Sequence, residues 1–120
     1  MLKINNDLED ALQSYLILLE QEDYFEAHEA LEEAWHPLRQ SKDPLRYVVK
    51  GYINAAISFE HLKRNRKNSR ANAQKVILSY ERYKHLRDET KEYKGLFEKA
   101  YHKIESLKMQ HREVFDVLVS

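Results

Sequence analysis

Apolar side chains return every three or four residues through two consecutive stretches near the start of the chain. Residues at that spacing share one face of an α-helix, so each stretch predicts a helix with one buried stripe. We predict helix one over about residues 7–21 and helix two over about residues 24–38. Pro37 disfavours helical geometry at the residue before it and should weaken the end of helix two.

The next segment is apolar over most of its helical circumference. Asp43 and Pro44 form a start signal, with an acid at the N-cap and proline at the first helical position. We predict helix three from Pro44 to about Arg64, and a helix that is apolar almost all round belongs in the centre of a bundle. Gly51 lacks a side chain and would let a neighbouring helix approach closely. A narrow polar seam remains on this helix, made of Lys50, Asn54, Ser58 and His61.

Two further helices are predicted after the basic loop at residues 63–67. Helix four should cover about residues 70–87, and helix five should run from about residue 90 to about Val117. Apolar positions in helix five step alternately by four and three, which is a heptad pattern. The seam consists of Tyr93, Phe97, Ala100, Ile104, Leu107, His111, Val114 and Leu118. We expect it to dock along the bundle, and pairing with a second copy is the alternative.

Composition agrees with this helical pattern. The 120 residues include two glycines, two prolines and no cysteine, and 33% of them are charged. A β-rich chain would need many more turn residues. The predicted fold class is therefore all-α: a compact bundle of about five helices around a mostly buried third helix, forming one domain over residues 1–120. The lack of cysteine excludes disulfides, thiolate nucleophiles and cysteine-ligated zinc.

Several partner classes are disfavoured by the sequence. The first ten residues lack the apolar run of a signal peptide, and no stretch is apolar enough to span a membrane. We therefore expect a cytoplasmic protein with no membrane contact. The basic run from Lys63 to Lys75 could contact phosphate, but it lacks interleaved aromatic residues in a chain of net charge zero. That composition favours a solvated loop over a nucleic-acid partner.

The net charge of zero conceals a strong asymmetry. Residues 1–33 hold ten acids and one base, a net charge of −9, and residues 34–120 hold ten acids and nineteen bases, a net charge of +9. The acidic helices could simply pack beside the basic ones. Alternatively, the asymmetry could mark a surface for self-association, forming a homodimer or larger homo-oligomer, or for a protein partner.

One group of polar residues could carry chemistry. His28 and Glu32 are four residues apart on helix two, so their side chains can converge, and Glu29 lies on the same flank. Asn54 and His61 belong to the polar seam of helix three. Unpaired buried polar groups cost about 1–3 kcal/mol each, so polar positions on two apolar faces predict one shared cluster. The candidate binding residues are His28, Glu29, Glu32, Asn54 and His61.

Three interpretations of this cluster remain open. It could bind a ligand or partner in an interaction module. It could instead be the centre of a metal-assisted hydrolase, with His28, Glu32 and His61 as ligands and Glu29 as the base. It could also be purely structural and fix how the helices align. A divalent metal is the one cofactor this set suggests, and the simpler expectation is that none is bound.

The motif around His28 resembles a known family. The run YFEAHEALEEAW, followed by KGYINAA and a later histidine, is similar to bacterial proteins grouped as domain of unknown function family 309. The matching positions are Tyr24, Phe25, Glu26, Ala27, His28, Glu29, Leu31, Glu32, Trp35, Gly51, Ile53, Asn54, Ala56 and His61. Two glutamines of the family pattern are replaced here by Lys50 and Asn54, and the later turn has no glycine. The resemblance covers about residues 8–75 and implies a compact helical bundle but no activity.

Overall fold

The computed structural model describes residues 3–89 and 91–116, and the regular structure within those ranges is entirely helical. The all-α prediction is therefore confirmed. The elements in chain order are α1 (Lys3–Glu20), α2 (Tyr24–Gln40), α3 (Leu45–Arg64), α4 (Ser69–Val76), α5 (Leu78–Tyr83), a 3-10 helix (Lys84–Glu89), α6 (Lys94–Gln110) and α7 (Arg112–Phe115). In this part of the chain, no helix is both long and apolar enough to cross a membrane.

Helix α3 is the centre of the bundle, as its nearly continuous apolar surface predicts. It packs against α2 on one side and against α4 and α5 on the other, while α1 lies against α2 and α6. Nine of its twenty residues are buried, more than in any other helix described. Burying large apolar side chains is the main favourable contribution to folding, so this helix organises the core.

Gly51 lies where α3 and α5 come closest. A Cβ atom added there would lie 3.0 Å from Cα of Tyr80 and 3.3 Å from the carbonyl oxygen of Ser79. Both of those atoms belong to the backbone of the neighbouring segment and cannot move aside alone. The absence of a side chain at Gly51 therefore permits the packing distance between α3 and α5.

Buried tyrosines join three helices through their hydroxyl groups. Tyr15 of α1 donates a 2.6 Å hydrogen bond to the carbonyl oxygen of Tyr52, and Tyr52 of α3 donates a 2.8 Å bond to the carbonyl oxygen of Phe97 in α6. Burial raises the pKa of both phenols above the usual value. The hydroxyls therefore stay neutral donors, and their bonds satisfy groups that would otherwise be buried at a cost.

A network of charges attaches α6 to α5. The Tyr80 hydroxyl donates a 2.6 Å hydrogen bond to Glu105, and Lys84 and Lys108 each contact both Glu81 and Glu105. Partial burial alone would raise the pKa of Glu105. The hydrogen bond from Tyr80 and the two ammonium groups outweigh burial and lower that pKa below its usual value. The carboxylate is thus held ionised where it links the two helices.

Three of the predicted helices need correction, two at an end and one in its continuity. Helix α1 begins at Lys3, ahead of the predicted start. Helix α2 continues past Pro37 to Gln40, because the buried Leu38 holds the last turn against the core. The predicted fourth helix is broken into α4, α5 and the 3-10 helix. The break keeps Ala73, Ile77 and Tyr80 all buried beside α3.

The heptad seam docks along the bundle, with two qualifications. Six of its positions are buried, whereas His111 is half-buried and ends α6 instead of continuing it. The chain then turns so that α7 lies against α4, where Gln74 donates a 2.8 Å hydrogen bond to the carbonyl oxygen of Val114. Helix α6 begins at Lys94, later than predicted, and Leu118 lies outside the described residues.

We predict that Gly51→Ala destabilises the protein by about 1–3 kcal/mol, because the added methyl group meets the backbone of Ser79 and Tyr80. Gly95→Ala is the matched control. No atom lies within 4 Å of its added Cβ, so helix propensity should leave stability unchanged or raise it by about 0.5–1 kcal/mol. Urea denaturation measures both values. Equal effects of the two changes would contradict the close-packing argument.

We predict that Tyr80→Phe lowers the free energy of unfolding by about 1–2 kcal/mol at pH 7, since Glu105 loses the hydrogen bond from the Tyr80 hydroxyl. The folded pKa of Glu105 is depressed, so its contribution is present above the unfolded pKa and is lost as pH falls through the folded pKa. The difference between wild type and variant should therefore shrink in acid. Tyr83→Phe is the control, and denaturation curves at pH 7 and pH 3 give the comparison.

Candidate functional site

A small pocket opens between α2 and α3 on the outside of the bundle. Its volume is about 210 Å³, and it is lined by Phe25, His28, Ile57, Glu60, His61 and Arg64. The α2 residues come from the first two turns of that helix, and the α3 residues come from its last two turns. Two histidines that are thirty-three positions apart in sequence therefore share one cavity.

His28 is oriented by its own helix. Its Nδ1 atom lies 2.6 Å from the carbonyl oxygen of Phe25, so Nδ1 carries a proton and donates it. In the neutral ring Nε2 is then a hydrogen-bond acceptor. Nε2 lies 3.8 Å from the Glu32 carboxylate, which is beyond hydrogen-bonding distance. The Phe25 ring also contacts the imidazole edge-on, with 4.9 Å between ring centres.

An ion pair lines one edge of the pocket. Nε of Arg64 lies 2.6 Å from the Glu60 carboxylate one turn earlier on α3, and its guanidinium stands 5.9 Å from the centre of the Phe25 ring. The two charges neutralise each other locally. The imidazoles of His28 and His61 therefore decide the polarity of the pocket, and the His61 ring has no hydrogen-bond partner within the described part of the chain.

A larger groove continues from this pocket along α3 toward α4 and α5. It has a volume of about 610 Å³ and shares Ile57 and His61 with the pocket. The remaining lining residues are Asn54, Asn72, Lys75, Val76 and Ser79. We call the pocket and this continuation the α3 groove. From Asn54 to Arg64 it follows about 15 Å of helix.

The predicted cluster is only partly assembled. His28 and His61 share the pocket, and Asn54 lies beside His61 in the continuation of the groove, where its amide donates a 2.7 Å hydrogen bond to Ser79. Glu29 and Glu32 instead line a shallow depression on the neighbouring flank of α2. They do not belong to the lining of the α3 groove.

The proposed metal ligands do not form a coordination site in this arrangement. Among residues 3–89 and 91–116, no three histidine, aspartate or glutamate side chains are placed to hold a metal ion together. The prediction of ligation by His28, Glu32 and His61 therefore finds no support in the geometry. Glu29, predicted as the base of a hydrolase, is exposed on the other flank of α2.

Other residues of the groove were not singled out from the sequence. Glu60 and Arg64 stand four positions apart on α3, a spacing that signals an ion pair on one face. Ile57 and His61 share that spacing, so the floor of the groove could have been found in the same way. The position of Lys75 in the groove could not have been predicted in this way, because no local pattern shows that α4 lies beside α3.

The polar residues of α2 and α3 differ in how enclosed they are. Ser58 is fully buried and donates a 2.8 Å hydrogen bond to Ala73, and Asn54 bonds Ser79, so these two polar residues do fasten α3 to α4 and α5. His28 and His61, in contrast, line an open cavity. Apolar walls next to imidazole nitrogens can accommodate a group that has both an apolar body and a polar end.

Fold and groove together define a small helical protein whose central helix lines a surface groove with both apolar and polar side chains. The chain belongs to the family described as Domain of unknown function (DUF309), whose model matches residues 12–72. That range contains every residue that lines the pocket between α2 and α3. No curated protein and no solved structure shows a significant match to the chain.

We predict that Asn54→Ala destabilises the protein by about 1 kcal/mol, because Ser79 loses its hydrogen-bond partner between α3 and α5. Asn72→Ala is the matched control in the same groove. Its side chain is exposed and has no hydrogen-bond partner among the described residues, so stability should stay within about 0.5 kcal/mol. Thermal and urea denaturation test both, and a larger loss for Asn72→Ala would contradict this assignment.

Proposed function

We propose that this protein is a cytoplasmic interaction module that binds its partner in the α3 groove. The observation that carries the proposal is the meeting of His28 and His61, from two different helices, in one open pocket with apolar walls. Polar groups converging in a concave, partly apolar site are the usual mark of a binding site.

The lining favours a ligand with a carboxylate and an apolar body. Lys75 and, when protonated, the two histidines can donate hydrogen bonds or attract negative charge. The one acid in the lining, Glu60, is already paired with Arg64. Phe25 and Ile57 offer apolar contact for the rest of the ligand.

The size of the site supports an interaction module over an enzyme. About 210 Å³ holds one side chain or one small ring, and the rest of a larger partner must lie along the open groove. Enzymes usually enclose their substrate and exclude water around the reacting atoms. The groove is open along its length, and Glu29 is too far round α2 to act as its base.

We predict that benzoate, used as a probe, binds weakly in the pocket. Its ring fits against Phe25 and Ile57, and its carboxylate can reach the imidazoles. Titration followed by ¹H–¹⁵N NMR spectra should shift signals from residues of the α3 groove. His28→Ala and His61→Ala should each weaken binding about tenfold, which corresponds to one charge-assisted hydrogen bond.

His102→Ala is the control for these variants. His102 also lies one turn from a glutamate, 3.5 Å from Glu98, but it is 74% exposed on α6. The His102→Ala variant should bind benzoate like the wild type. Benzylamine, which carries a positive charge on a similar ring, is a second control and should not shift the signals of the groove residues. If benzoate shifts scattered surface signals, or if all three histidine variants bind equally, the proposed site is wrong.

A further inference from the structure

The α3 groove lies between two surfaces of opposite charge. On one side the outer flank of α2 carries the exposed acids Glu26, Glu29 and Glu33, which we call the α2 ridge. On the other side lies α4, within a stretch that has no acid between Glu60 and Glu81. Lys75 from that stretch lines the groove itself.

These opposite charges are barely compensated within one molecule. Of the acids before Ala34 in the described chain, only Glu20 pairs with a lysine or arginine, namely Lys103 at 2.8 Å. The other ion pairs to lysine or arginine join residues within 60–116. The exposed glutamates of the α2 ridge have no ion-pair partner in the described ranges. The same holds for the exposed lysines of the other surface, Lys67 and Lys75.

An exposed aromatic residue marks the boundary between the two surfaces. Phe25 is 44% exposed, one of five large apolar side chains in the described chain with such exposure. It lines the pocket from the α2 side, one turn before Glu29. Aromatic side chains at the centre of a charged surface are typical anchors of protein interfaces.

We propose that the occupant of the groove is a second copy of this chain, an inference that rests on the proposed function. In a two-fold dimer, the α2 ridge of one copy faces Lys67 and Lys75 of the other, and the same contact is repeated across the axis. Phe25 of each copy lies near that axis. The ridge supplies the carboxylates that the groove favours, and a net charge of zero removes overall repulsion between copies.

A charge-swap experiment tests this arrangement. One variant carries Lys67→Glu and Lys75→Glu, and the other carries Glu29→Lys and Glu33→Lys. Sedimentation velocity should show a wild-type dimer whose dissociation constant rises with salt up to about 0.5 M sodium chloride. Each variant alone should dimerise at least about tenfold more weakly, because like charges then face each other.

Mixing the two variants provides the decisive measurement. The mixed dimer places glutamates against lysines at both contacts, so association should return to near the wild-type level. Lys91→Glu with Lys99→Glu is the charge-matched control for the first variant. Lys91 is exposed just before α6 and Lys99 is exposed in its second turn, so this protein should dimerise as the wild type does. Circular dichroism of every variant excludes loss of fold as the cause.

Two results would overturn the inference. One is a wild-type protein that stays monomeric at low salt, and the other is a dimer that neither charge variant weakens. The benzoate titration separates these failures from a failure of the proposed function. A monomer whose groove still binds benzoate through His28 and His61 retains the binding site and requires a different partner. A protein that stays monomeric and does not bind benzoate in the groove would contradict both proposals.

Discussion

The close contact between Gly51 and the backbone at Ser79 and Tyr80 determines how closely α5, and the segments that follow it, pack against α3. It brings α5 near enough to α3 for Asn54 to reach Ser79 at 2.7 Å. With Tyr80 held there, its hydroxyl meets Glu105 and positions α6. A wider separation of α3 and α5 would break the hydrogen bond between Asn54 and Ser79 and change the shape of the groove.

Polar groups on the central helix divide into two kinds. Ser58 and Asn54 make hydrogen bonds to neighbouring segments, and no buried side-chain nitrogen or oxygen in the described ranges lacks a partner. These contacts avoid the penalty for burying an unpaired polar group. His61 lies on the same seam but faces the open groove. Within this seam, Ser58 and Asn54 are therefore tied to neighbouring segments, whereas the His61 ring is open to the groove.

Much of the fold could be predicted because helical periodicity is a local property. The stripes of α1 and α2, and the apolar circumference of α3, depend on residues a few positions apart. The ends of helices were harder to predict. Pro37 lies inside α2, because burial of Leu38 outweighs the lost backbone hydrogen bond, and His111 ends a helix where a heptad pattern continues. In both cases contacts with distant segments override the local preference.

The candidate site shows the same division between local and distant information. The amino-acid sequence determined which residues share a helix face: His28 with Glu32, and Asn54 with His61. Only the tertiary structure decided which faces meet. The pairing of α2 with α3 brings His28 to His61, whereas Glu29 and Glu32 line a separate depression on α2, and the position of α4 adds Lys75. The rotation and packing of helices depend on contacts between residues far apart in the chain, and the spacing of residues along the sequence does not show which residues make those contacts.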